Sequence, residues 1–250
     1  MINCLRALST FIQPKVNISH ITPHLCAGCL SPTRTTGLCP GCRGDLPRND
    51  AACAHCALPL ASLAAHHAQS LCGPCISQPP AFDKVLAPWL YGFPVNGLVS
   101  HFKYGKQRAF GRPLAELLAQ EIANSGVNLP DCLIPVPMPS HRLRQRGFNQ
   151  AEEIALWLAD SLDIPVTSRV VHRKKQGETQ SGLTRRQRLV NLKGAFEVIG
   201  DVPEHVALVD DVVTTAATAQ ELARTLKKAG ARTVDVWALA RTPKVPTEDL

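Results

Sequence analysis

His205-Val206-Ala207-Leu208-Val209-Asp210-Asp211-Val212-Val213-Thr214-Thr215-Ala216-Ala217-Thr218 carries the reading of the fold. Four apolar residues, 206–209, run into two adjacent carboxylates, then two β-branched residues, then a cluster of threonines. Beyond it Ala219, Leu222, Ala223 and Leu226 recur at the spacing of one helix face. A buried strand, a short loop and a helix make one unit of an α/β sheet, and such sheets bind ligands outside the carboxyl ends of their strands. The two acids are predicted to stand at that end. Backbone N–H groups at a helix start attract an anion, and small or hydroxylated residues let a phosphate come close. Adjacent carboxylates repel the phosphate but accept hydrogen bonds from sugar hydroxyls, or hold Mg²⁺. The stretch therefore predicts a ribose 5-phosphate pocket. A threonine-capped strand end with two solvated acids is the plainer alternative, but capping does not call for paired acids.

At 250 residues and 45% apolar content the chain has room for one or two domains with a real core. Its net charge of +7 is uneven. Residues 141–193 hold eleven Lys or Arg against five Asp or Glu, a surface that draws the phosphates of a nucleotide or a nucleic acid. No run of eighteen apolar residues occurs, so no membrane span is expected. Residues 1–23 read as a short lead-in that makes poor signal-peptide material, and a cytoplasmic protein is expected.

Eight of the ten cysteines form four CxxC pairs: Cys26/Cys29, Cys39/Cys42, Cys53/Cys56 and Cys72/Cys75. Each pair turns two thiolates toward one metal, so four pairs within residues 24–78 predict two structural Cys₄ zinc sites. A disulfide framework would need an oxidising compartment that nothing in the sequence indicates. Sequential pairing is the simplest arrangement, and an interleaved cross-brace fits the spacing too. Few large apolar residues lie here, so the metals must supply much of the folding energy. His55, His66 and His67 read as solvated, Cys132 as a small buried hydrophobe, and Cys4 has no assigned role.

Pro79-Pro80 marks the passage to a second domain over 81–241, with 242–250 as a frayed tail. Residues 82–93 predict a strand or two. A helix is expected to open at Gly111-Arg112-Pro113, with Pro113 in its first turn. Residues 132–137 predict a strand running into a proline-stiffened loop that carries Arg142 and Arg146, two guanidiniums suited to a pyrophosphate. Asn149 with Glu152 resembles a capping box before the next helix. A strand is expected over 164–171, then a long basic lid over 173–188, a strand over 195–198 and a last strand over 233–240. Lys103, on the stretch 98–105, is placed to reach a phosphate or to be a plain surface charge.

The Asp210–Thr218 stretch resembles the phosphoribosyl-pyrophosphate (PRPP) loop of type I phosphoribosyltransferases. Ala216 stands where that loop most often carries glycine; a positive φ there would cost alanine on the order of 1 kcal/mol. Phe102-Lys103-Tyr104, Pro135-Val136-Pro137, Arg146-Gly147-Phe148-Asn149-Gln150, and Thr179-Gln180 with Arg185 and Asn191 extend the resemblance. With the cysteine pairs, they resemble the bacterial ComF family of competence proteins over residues 24–241. The resemblance implies an α/β domain with a phosphoribosyltransferase-like parallel sheet and flanking helices, behind a small double zinc ribbon. It implies a role in natural transformation or use of external DNA, with single-stranded DNA and other DNA-uptake machinery as partners. Asp210 and Asp211 would take the ribose hydroxyls and any chemistry, with Mg²⁺ accompanying PRPP. Val213, Thr214, Thr215, Ala216, Ala217 and Thr218 would hold the 5′-phosphate, and Arg142, Arg146, Lys103 and Arg185 would surround the rest of PRPP. An active transferase of nucleotide metabolism and a PRPP sensor without turnover are the competing readings.

Overall fold

The computed structural model describes residues 24–35, 37–60, 70–105, 107–174 and 194–243. The cysteine segment supplies a two-residue pair of strands, β1 (His24–Leu25) and β2 (Pro32–Thr33), and two short helices, α1 (Pro40–Gly44) and α2 (Gly73–Ser77). Then follow β3 (Lys84–Leu86), β4 (Trp89–Leu90), α3 (Val95–Tyr104), α4 (Arg108–Asn124), β5 (Cys132–Pro135), α5 (Ser140–Arg146) and α6 (Gln150–Leu162). The chain closes with β6 (Val171–Arg173), β7 (Phe196–Val198), β8 (His205–Val213), α7 (Ala217–Lys228) and β9 (Thr233–Arg241). The main sheet runs β3-β9-β8-β5, with β4 also on β9, and every pairing in it is parallel.

Both sheet faces are covered, which is why its strands are apolar almost throughout. Leu133, Ala207, Val209, Trp237 and Leu239 join α3, α4 and α6 in one core. Cys132, Ile134, Val206, Leu208, Val234 and Val236 join α7 in the other. On α7 the predicted face, Ala219, Leu222, Ala223 and Leu226, is buried, and each fully buried leucine contributes roughly 2 kcal/mol. The cysteine segment straddles this sheet. Cys26, Leu38 and Leu46 belong to the first core, whereas Cys53, Cys56, Cys72 and Cys75 belong to the second with Phe82 and Val85. Its docking on α4 is tight: Gly37, at φ 85°, leaves no room for a Cβ, which would stand 2.8 Å from Pro113. Arg48 clasps Glu121 of α4 with two bonds of 2.6 and 3.1 Å.

Several sequence expectations shift. The helix expected to open at Gly111 begins at Arg108, so Pro113 is its sixth residue and lies inside it. Pro113 has no N–H to give the helix ladder, and the kept gain is packing against Gly37. The loop after β5 coils into α5, stopped by Gly147 in the left-handed region at φ 84°. Asn149 caps α6 by accepting from the Ala151 N–H, but Glu152 does not close the box; it accepts from Ser168 instead. The strand expected over 164–171 is a single bridge at Val166, and the regular strand is β6, paired antiparallel with β7 apart from the main sheet. The lead-in 1–23, His66, His67, the lid from residue 175 on, Arg185 and the tail from 244 lie outside the described residues.

Candidate functional site

β8 does not stop before the acids as the sequence reading has it; it runs nine residues, through both of them, to Val213. Parallel pairing explains this, because β9 offers partners as far as Arg241. The regular alternation of side chains slips at the acids. Val209 and Val212, three apart, pack in the same core, and Val213 packs in the other. Asp211 is 8% exposed and Asp210 is half-buried.

Lys103 resolves the first charge. It lies on the last turn of α3, whose Val95, Leu98, Val99 and Phe102 are buried, and its Nζ stands 2.8 Å from Asp211 Oδ2. Both side chains are largely withdrawn from water, at 16% and 11% exposure, so this pair is not a surface ornament. Among the described residues Asp210 has no such partner. Its Oδ1 accepts from the Asp211 N–H at 2.8 Å, yet burial and then the Asp211 charge push its carboxyl up to about 7. A half-titrated acid thus sits beside the Lys103–Asp211 pair at neutral pH.

The six residues expected to hold the phosphate span three elements: Val213 ends the strand, Thr214–Ala216 turn, and Ala217 and Thr218 open α7. Ala217 N–H reaches Thr215 Oγ1, whereas the N–H groups of Thr214, Thr215 and Ala216 have no partner among the described residues. Ala216 holds φ 59°, ψ 10°, the left-handed cap that the sequence reading feared for an alanine. Ala216→Gly is therefore expected to raise stability by about 0.5–1 kcal/mol, read as a shift in urea midpoint. A destabilised variant would show that the left-handed geometry is wrong.

Of the predicted arginines among the described residues, Arg146 is tied to the helix that carries Lys103. Its guanidinium sits 5.0 Å from the Tyr104 ring centroid and donates to Gln150 Oε1 at 2.8 Å, so α5 is held against the residue next to Lys103. Arg142 is exposed and close enough to Arg173 to lower that guanidinium's pKa, second to the effect of burial. No side-chain contact joins Arg142 to the acids.

The eight cysteines divide as the simplest pairing predicts. Cys26, Cys29, Cys39 and Cys42 form one group and Cys53, Cys56, Cys72 and Cys75 the other, with all sulfurs of a group within 4.8 Å. A tetrahedral zinc with bonds of about 2.3 Å separates its sulfurs by about 3.8 Å; Cys29 and Cys39 stand 3.9 Å apart, Cys56 and Cys72 3.6 Å. Burial alone would raise the Cys26 thiol, but the Cys39, Cys29 and Gly28 N–H groups bring it down to about 6. At Cys53 burial is likewise outweighed, by the Cys56, Cys72 and His55 N–H groups, and the thiol falls to about 7. The donor set fits a closed, structural thiolate site in both groups.

No family model matches the chain. It is 37% identical over 213 residues to Competence protein F of Haemophilus influenzae, covering 82% of this chain and 90% of that protein. It is 35% identical over 227 residues to the DNA utilization protein YhgH of Salmonella typhimurium, covering 88% and 98%. The chain belongs to the ComF family. Among solved structures, a glutamine PRPP amidotransferase from B. subtilis aligns with 52% of this ComF chain and 26% of its own, at 20% identity and a TM-score of 0.35. The purine phosphoribosyltransferase of Pyrococcus horikoshii aligns over 55% and 90%, at 18% and 0.31. Likenesses of that order add nothing to the sheet order above.

Three residues of this ComF protein escaped sequence reasoning. Tyr104 and Gln150 were quoted only as part of the resemblance; they seat Arg146. Arg241, 4% exposed, ends β9, one residue past the strand expected over 233–240. Its one signal was a charge directly after the apolar run Val236-Trp237-Ala238-Leu239-Ala240, which a strand end buried by a neighbouring module would explain.

Proposed function

We propose that this ComF-family protein acts in the uptake or use of external DNA, with a pocket for PRPP or a related ribose 5-phosphate. The names borne by its relatives support the first half. The observation that carries the second is the juxtaposition of the Lys103–Asp211 pair and Asp210 with three unpartnered N–H groups at the start of α7. Thr214–Thr218, after Val213, would hold the phosphate, and Asp210 and Asp211 the ribose hydroxyls, with Mg²⁺ beside them when PRPP binds. The basic 141–193 segment, through Arg142 and Arg146 and including Arg185, would meet pyrophosphate or single-stranded DNA. We take residues 24–78 as a zinc ribbon, 81–241 as the phosphoribosyltransferase-like half, and the protein as cytoplasmic.

The raised Asp210 carboxyl favours a second reading, an active pentosyl transfer. A group titrating near neutrality suits a proton acceptor. The nucleophile's nitrogen would bond to C1 of the ribose while the C1–oxygen bond breaks, and the electron pair would leave with pyrophosphate. The nitrogen's proton would pass to Asp210.

Titrating zinc-loaded protein with PRPP and Mg²⁺ by calorimetry, then assaying pyrophosphate release with bases and single-stranded DNA, separates these readings. Binding is expected in wild type and to weaken at least tenfold in Asp211→Asn. Release that needs Asp211 would make the protein a transferase. Unchanged affinity in Asp211→Asn, or none in wild type, would remove the pocket.

A further inference from the structure

We propose that Arg241 is a positioning residue that couples the metal at Cys53, Cys56, Cys72 and Cys75 to the shape of the loop after β8. The inference rests on reading that loop as a phosphate cradle, and it concerns how the cradle is held open.

Arg241 ends β9 and is almost wholly buried. Its Nε donates to the Cys56 carbonyl at 2.9 Å. Its Nη1 donates to the Val213 carbonyl at 3.0 Å, to the Thr214 carbonyl, and to the Thr242 carbonyl at 3.0 Å. One guanidinium thus ties a metal knuckle to the first two peptide groups of the loop. Arg241 lines a cavity of about 830 Å³ together with Cys72, Cys75 and Thr214–Ala217.

Two physical arguments make this a coupling rather than a fastening. First, a peptide unit is planar, so the carbonyl of Val213 and the N–H of Thr214 point opposite ways from one rigid plate, as do the Thr214 carbonyl and the Thr215 N–H. By gripping the two carbonyls from the cysteine side, Arg241 turns the two N–H groups away from itself. Those are two of the three N–H groups without a partner. Second, a buried guanidinium needs compensating charge. Among the described residues no carboxylate pairs with Arg241, and the Cys56 knuckle to which it donates belongs to the buried four-cysteine group. Four thiolates around Zn²⁺ carry a net charge of −2, so the loaded group would supply what the guanidinium lacks. Lysine cannot replace it, since a point charge lacks the fork that reaches both sides.

The test is hydrogen–deuterium exchange of the full chain over residues 213–217, with zinc content and PRPP·Mg²⁺ affinity measured on the same samples. Wild type, Arg241→Met, Arg241→Lys, Cys75→Ser and the Arg241→Met/Cys75→Ser double variant are compared. Loaded Arg241→Met is expected to keep two zinc ions per chain and the protection of the β8 core amides. Exchange over 213–217 should nevertheless rise at least tenfold and PRPP affinity fall at least tenfold, with Arg241→Lys restoring little. Cys75→Ser should loosen the same loop in wild type and add nothing further in Arg241→Met. Loop exchange unchanged in Arg241→Met, or Cys75→Ser adding in full to it, overturns the proposal. Should Cys75→Ser fail to fold, loaded Arg241→Met against loaded wild type decides. If wild type binds no PRPP the pocket reading falls, while the exchange measurements still judge the coupling.

Discussion

Serine at Cys53 is expected to remove one of two zinc ions and to leave a chain that no longer folds at 37 °C. Cys53 is 2% exposed and accepts the Cys72 N–H at 3.3 Å, and its group is buried in the core formed by α7 and the sheet. Structural zinc contributes on the order of 10 kcal/mol of folding energy per Cys₄ site, against a total stability of roughly 5–15 kcal/mol. Losing that site would also uncover Phe82 and Val85, which pack beside its sulfurs. Serine at Cys29 is expected to be milder. That thiol is exposed and its group is partly solvated, so the first zinc should also be the first to yield to a chelator. Metal content and thermal melts of the two variants check both statements. A Cys53→Ser chain with two zinc ions and a wild-type melt would mean that Cys53 is not a zinc ligand.

What the sequence made legible was local. The CxxC pairs fix two thiols on one knuckle, and a tetrahedron needs two such knuckles, so two four-thiol sites follow from spacing, whereas the choice of sequential over interleaved pairing comes from the fold. The burial of Leu222 and Leu226 follows from helical period, and the strain at Ala216 from the resemblance, whose loop most often carries glycine at that position. What stayed hidden depends on partners far along the chain. Pro113 inside α4 makes sense only once Gly37 is packed on it, 76 residues away in sequence. β8 reaches past its acids because β9 continues to Arg241, and no window around Asp211 contains that fact. Arg241 itself sits under a knuckle contributed by Cys56. For the candidate site, Lys103 and Asp211 were each marked, but only the fold shows that they answer each other.

That pairing yields the second large effect. Lys103→Met is expected to destabilise the protein by about 3 kcal/mol at pH 8, because removing one partner strands a buried charge. The pH dependence carries the argument. An aspartate ordinarily titrates near 3.8, and Asp210 in the folded chain stands at about 7. Between those values the native state holds a proton that the unfolded state has lost, so this group makes stability fall as pH rises from about 4 to about 7. Lys103 is one of the influences that hold Asp210 down. Without it the carboxyl titrates higher still, and above neutrality the variant carries two acids with no cation between them. At pH 5 Asp210 is protonated in both chains, so only the loss at Asp211 remains and the deficit should shrink to about half. Asp210→Asn should behave oppositely, gaining on the order of 2 kcal/mol at pH 8 with the gain fading toward pH 4. Urea unfolding of the three proteins at pH 5 and pH 8 measures this. A Lys103→Met deficit equal at both pH values would show that the acids do not share their charge, and with that the case for a cation-demanding pocket at the end of β8 would go.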